Sequence, residues 1–221
     1  HLLGMAEGAT ENQAVVTGLI ADLCDRGLGI EDGLLFVIDG AKALRSAIRR
    51  TFGERALVQR CHVHKTRNVT DHLPVAEREF VARKIDAAWR DEDPDRAEAT
   101  LTALARSIEK AHPGAGTSLR EGLSETLTIS RLGITPHEAL WRTLRSTNPI
   151  EQAFSICRAV HGNVKHWQSG DMAMRWVAAG LTHASTGWRR IKGYREMPLL
   201  VAGLKRHVQS IDQEVANRVA A

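Results

Sequence analysis

Apolar residues recur along this chain at two different periods. Between Asn12 and Arg26, Val15, Val16, Leu19, Ile20 and Leu23 fall at helical spacing before the stop Arg26-Gly27-Leu28, which predicts an amphipathic helix. Leu34 to Ile38 form an unbroken apolar run ending in Asp39-Gly40, the pattern of a buried strand that leaves into a turn. Helical periodicity resumes over Ala41 to Phe52. A second short strand is predicted over Ala56 to Cys61, and another helix near His64. His1 to Met5 reads as the end of a further strand. The first 70 residues therefore predict a β-α-β-α-β-α order, with parallel strands and helices packed on them.

The pattern changes from Val75 to Arg145. Ala, Glu, Arg and Leu dominate, strand signals vanish, and Pro94, Pro113 and Gly114 punctuate three or four expected helices. Residues 75–145 thus read as a helical insertion between a first core segment, 1–74, and a last one, 146–221. The last segment opens with a capped helix from Asn148 to about His161. A Gly/His/Lys/Gln linker follows, then a helix from Asp171 to about Ser185, a basic stretch to Tyr194, and a basic tail.

Composition narrows the function classes. The longest apolar stretches, such as Leu34 to Ile38 and Leu199 to Ala202, are far shorter than the roughly 20 residues of a membrane-spanning helix, so no membrane association is expected. The chain opens at His1 with no basic n-region or apolar h-region, and a cytoplasmic fragment of a longer protein is expected. Three widely spaced cysteines, Cys24, Cys61 and Cys157, do not describe a disulfide framework. Charge is polarised: residues 1–40 carry seven acids and one base, residues 141–221 twelve bases and five acids. Such an arrangement suits a polyanion-binding surface beside a group of carboxylates, although many basic faces are only solvated.

The residues that could carry chemistry each admit a plainer role. Asp39 ends a hydrophobic strand, where α/β proteins place catalytic side chains, but it could equally cap the helix that follows. Glu151 follows Asn148 and Pro149, and a capping box with Asn148 as N-cap explains it; a carboxylate in a first helical turn can also hold a divalent cation. Cys61-His62-Val63-His64 has zinc-ligand spacing without a second pair, so Cys61 and His62 are read as strand-end residues on opposite faces. Trp89 and Trp176 are expected in the core. Trp167 and Trp188 lie among Lys165, His166, Arg189, Arg190 and Lys192, an interleaving that could stack on bases while neutralising phosphates. No Gly-rich phosphate loop follows the first strand, which argues against a nucleotide-using small-molecule enzyme.

Taken in order, Glu11-Asn12, Asp22 to Leu28, Val37-Ile38-Asp39-Gly40, Gln59-Arg60-Cys61-His62-Val63-His64 with Arg67-Asn68, and Ser146-Thr147-Asn148-Pro149-Ile150-Glu151 with Arg158 resemble the signature of Mutator-type transposases of bacterial insertion sequences. The resemblance runs over nearly the whole chain. It implies an α/β, ribonuclease-H-like mixed sheet with flanking helices, interrupted by the helical insertion and lacking its N-terminal strand or strands. It also implies a triad of two Asp and one Glu, with Asp39 as second acid, Glu151 as third, and His64 close to the active centre. Asp39 and Glu151 would be ligands to Mg²⁺ or Mn²⁺. Arg158, Lys165, Trp167, Arg189, Arg190 and Lys192 would contact DNA, both transposon ends and target, in a homo-oligomeric complex associated with the bacterial nucleoid. The first acid of the family ends a strand upstream of the one that His1 to Met5 resembles, and no Asp precedes Asp22. The triad is therefore expected to be incomplete in these residues, and the fragment inactive in isolation; a DNA-binding remnant without chemistry is the alternative.

Overall fold

A computed structural model describes residues 1–8, 13–162, 164 and 166–219. Helix α1 (Gln13–Asp25) leads to strand β1 (Leu34–Ile38), helix α2 (Lys42–Phe52), strand β2 (Ala56–Arg60) and helix α3 (His62–Thr70). The strands pair in parallel, Leu34 opposite Ala56 through Ile38 opposite Arg60, which the α2 crossover between them permits. Their side chains alternate between two apolar clusters. Leu34, Phe36, Ile38, Ala56 and Val58 join Ile20, Ile48 and Phe52 beneath α1 and α2, while Leu35 and Leu57 pack against the helical body on the other side. Burial on both faces is the reason β1 is apolar throughout.

Among the described residues this two-stranded sheet is the whole of the β-structure and the rest is mostly helical; the larger mixed sheet of a ribonuclease-H-like fold is not seen in them. His1 to Met5 is not a strand. The segment lies along α1 instead: Arg26 Nη2 donates to the Leu3 carbonyl at 2.6 Å, and Gly4 faces Leu19 and Leu23. With its backbone bonded to a helix side chain, it forms no ladder with β1.

Helices α4 (Val75–Trp89), α5 (Pro94–Glu109), α6 (Pro113–Arg120), α7 (Thr128–Arg131) and α8 (Ala139–Leu144) build the body, with a 3₁₀ turn at Ser124–Leu127. Asp93 caps α5 by accepting from the Asp95 and Arg96 amides, and Pro94 fits the first turn, where no amide donor is needed. Helices α9 (Asn148–Val160) and α10 (Gly170–Thr186) form a hairpin whose own core is Ala153, Cys157 and Leu181 with Met5 and Val177. The expected basic tail is a 23-residue helix, α11 (Met197–Val219). It buries Leu200 and Leu204 in the body, lays Gly203 against the Leu132 carbonyl, and reaches the β-unit through His207 to the Glu54 carbonyl (2.8 Å) and Lys205 to Asp32 (3.3 Å). Among the described residues no helix is long and apolar enough to cross a membrane.

Candidate active site

Residues 59–65 connect the sheet to the rest of the molecule, and most of their side chains point inward. Gln59 is fully buried: its amide donates to the Arg60 and Thr126 carbonyls, and its Oε1 accepts from the Ile129 amide. Arg60, also buried, donates to the Glu121 carbonyl at 2.9 Å, and its guanidinium lies between Gly40 and Gly122. Both glycines have positive φ, 110° and 61°, and a Cβ on either would come within about 2.6 Å of the guanidinium. The turn carrying Asp39 is thereby held against a buried cation. The Lys65 amine donates to the Ser118 and Glu121 carbonyls; burial and the neighbouring Arg60 lower its pKa to about 8, against the pull of Glu121 and Glu125.

Cys61 and His62 do not occupy opposite faces of a strand. Both are buried, because β2 ends at Arg60 and α3 begins at His62, where the helical repeat replaces the alternation of a strand. The His62 ring stacks on Trp89 with centroids 3.9 Å apart and meets Trp141 edge-on at 5.7 Å. Its Nε2 donates to the Thr126 carbonyl at 2.7 Å, which leaves Nδ1 buried and without a partner. Burial drives the His62 pKa down to about 3, opposed by that hydrogen bond, so the ring is neutral at ordinary pH.

The segment's other face is chemical. His64 Nδ1 lies 3.3 Å from Cys61 Sγ, 3.3 Å from Thr147 Oγ1 and 3.8 Å from Glu151 Oε1. Thr147 Oγ1 donates to Glu151 Oε1 at 2.5 Å, and the Thr147 amide donates to Cys61 Sγ at 3.4 Å. Two sequence-predicted site residues, His64 and Glu151, are thus brought together. Asp39 stands one residue beyond Ile38, whose carbonyl accepts from the Cys61 amide at 2.7 Å. Its own carboxylate turns back to accept from the Ala41 amide at 3.0 Å, the bond of an Asx turn at the mouth of α2. Thr147, not Asn148, occupies the N-cap of α9.

The predicted DNA-contacting residues fall on two stretches of the chain. Arg158 is exposed on α9, and Trp167 is 43% exposed beside His161, ring centroids 5.8 Å apart. Lys165 lies outside the described residues. Arg189, Arg190 and Lys192 are exposed between α10 and α11, with the Arg190 guanidinium 5.0 Å from the centre of the Tyr194 ring. Trp89 is buried as expected, but Trp176 is 39% exposed and packs edge-on against His161; α9 and α10 are too few to enclose an indole. Cys24 and Cys157 belong to different apolar clusters, so neither completes a metal site with Cys61. Sequence reasoning did not single out Thr147, Gln59, Arg60 or Lys65 as residues of the site. A pair of adjacent polar residues within an otherwise apolar strand was the available signal for Gln59 and Arg60; Thr147 carried none, the sequence pattern placing the N-cap at Asn148.

An α/β unit with an acid at a strand end, tied through one Cys-x-x-His segment to a second acid on a distant helix, defines the class. The family profile described as "Transposase, Mutator family" matches residues 1–191, and the chain belongs to that family. It is 28% identical over 205 residues to "Transposase for insertion sequence element IST2" of Acidithiobacillus ferrooxidans, covering 93% of this chain and 67% of the relative. It is 27% identical over 198 residues to "Transposase for insertion sequence element ISRM5" of Rhizobium meliloti (strain 1021), 89% of this chain and 48% of that one. Against "Transposase for insertion sequence element IS6120" of Mycolicibacterium smegmatis it is 26% identical over 207 residues, 94% and 62%. The chain therefore spans about half to two thirds of the length of these relatives.

Proposed function

We propose that these residues form the part of a DNA transposase that contributes Asp39 and Glu151 as two of three acids for phosphodiester cleavage and strand transfer. The observation that carries this reading is the linkage of Glu151 and His64 through Thr147, on the residue, Cys61, whose amide bonds to the strand end before Asp39. Carboxylate oxygens fit Mg²⁺ or Mn²⁺ in donor chemistry. In number they fall short: among the described residues no three His, Cys, Asp or Glu side chains gather as a metal site. When bound, a pair of divalent cations neutralises charge at the attacked phosphate. Asp39 and Glu151 would be its ligands here, His64 would stand behind Glu151, and Arg158, Lys165, Trp167, Arg189, Arg190 and Lys192 would grip the DNA in a homo-oligomeric complex.

The same shortage favours a second reading, a DNA-binding remnant that performs no chemistry. Cleavage of transposon-end DNA by the full-length protein separates the two. Wild type is expected to cut in Mn²⁺, and Asp39→Asn and Glu151→Gln each to reduce cutting to background with DNA binding retained. Undiminished cutting by either variant would overturn the assignment. The 221 residues alone are expected to show no Mn²⁺-dependent nicking.

A further inference from the structure

The side chain at the start of α9 does not do what its position leads one to expect. A threonine at an N-cap ordinarily accepts a hydrogen bond from the second or third helical amide and so satisfies an orphan donor. Thr147 sits at that position yet makes no such bond. The second helical residue, Pro149, has no amide to offer, and the Ile150 and Glu151 amides bond to the Thr147 carbonyl instead, both at 3.1 Å. The hydroxyl is left for other work. Its one proton goes to Glu151 Oε1 at 2.5 Å, and a hydroxyl has no second proton to give. Its lone pairs then face Cys61 Sγ at 3.5 Å and His64 Nδ1 at 3.3 Å, and the backbone amide of the same residue fixes the sulfur from the other side. Thr147 is 9% exposed, so water competes little for these contacts.

We propose that Thr147 is a positioning residue for Glu151, oriented in turn by the Cys61 thiol and the His64 imidazole. The proposal rests on the reading of Glu151 as a metal ligand and gives the Cys-x-x-His segment its part in it. One oxygen of Glu151 is held by the hydroxyl, so the carboxylate presents the other to a cation in a fixed orientation. Partners of this kind, one bond behind a ligand, commonly change metal affinity by about 10–100-fold when removed. A purely structural role would act on folding alone and leave the affinity where it was.

The test is the affinity of the full-length protein for Mn²⁺ alone, followed by the electron paramagnetic resonance of the free ion, with thermal unfolding measured beside it. Thr147→Val keeps the shape and removes the hydroxyl, and it is expected to raise the half-saturating Mn²⁺ concentration about tenfold. Thr147→Ser restores the hydroxyl and is expected to return it to within about twofold of wild type, whatever either variant does to the melting temperature. Glu151→Gln separates the layers of the argument. If wild type binds no Mn²⁺, or Glu151→Gln binds as wild type does, Glu151 is not a ligand and both readings fall. If Glu151→Gln loses the ion while Thr147→Val binds as tightly as wild type, or if Thr147→Ser is as weak as Thr147→Val, only the positioning role is overturned.

Discussion

In the helical body, twenty-one of the described residues, from Val69 through Trp89 and Trp141 to Leu204, form one continuous apolar cluster. In the α9–α10 hairpin the cluster comprises Ala153, Cys157 and Leu181. The body is held by burial, and polar groups such as Gln59 and Trp89 Nε1 are satisfied inside it, with His62 Nδ1 an exception. The hairpin begins at polar contacts from Thr147 and Glu151 to Cys61 and His64, and its aromatic residues Phe154, Trp167 and Trp176 remain exposed. The candidate acid on the hairpin is therefore carried by the region with the least burial to lose. Regions of that kind open at lower free energy than a large core.

The largest expected effect breaks the body. Trp89→Ala removes the stacking partner of His62 and the donor to Thr126, and should cost roughly 3–5 kcal/mol in denaturant unfolding followed by circular dichroism. A change below about 1 kcal/mol would mean that the body does not dominate stability.

The next effect is set by pH. The folded pKa of His62, about 3, lies below the ordinary 6.5, so between those values the unfolded chain binds a proton that the folded chain does not. Its contribution is complete above pH 6.5 and declines as the pH falls, by about 1.4 kcal/mol per unit. From pH 6.5 to 5, wild type should lose about 2 kcal/mol more than His62→Phe. Arg145 lowers and Asp86 raises the same pKa, both less than burial does. Parallel profiles for the two proteins would remove His62 from the account.

A smaller effect should stay within the hairpin. A Cβ at Gly180 would stand 2.7 Å from both Cys157 Sγ and His161 Nε2, so Gly180→Ala should force α9 and α10 apart at a cost of roughly 1–2 kcal/mol. Amide exchange is expected to quicken in α9 and α10 and remain unchanged in α4 and α5. Equal quickening in both regions would show that hairpin and body open as one unit.

The smallest effect concerns the exposed bases. If Arg158, Lys165, Arg189, Arg190 and Lys192 each neutralise a phosphate, the slope of log K for duplex DNA against log salt should be roughly −4 to −5. Arg189→Ala/Arg190→Ala should flatten it by about two. An unchanged slope would return both arginines to a solvated surface.

Legibility in the sequence followed the range of the interactions. β1, α1, α2 and α10 were readable because periodicity and an apolar run are local properties, and their observed ends lie within two residues of those expected where the residues are described. The strand expected at His1 to Met5 failed because a strand also needs a neighbour, which no local pattern supplies. In α11 the apolar positions Leu200, Leu204 and Val208 do recur at helical spacing, but the surrounding Arg195, Lys205 and Arg206 drew the reading towards a tail. At the site, Asp39, His64 and Glu151 were candidates through family resemblance, and the structure brings His64 and Glu151 together. The hydroxyl that links the last two was not a candidate, because the sequence pattern set the N-cap at Asn148 and left Thr147 outside the helix start.

The claim on which the rest depends is that Asp39 and Glu151 serve one cation site. It is tested by adding Mn²⁺ to the isotope-labelled full-length protein and recording which amide signals its unpaired electrons broaden. Joint broadening is expected at Asp39–Gly40 and at Ile150–Gln152, lost at both places when either acid is neutralised. Broadening at one segment without the other, or broadening at both that survives Asp39→Asn, would contradict it.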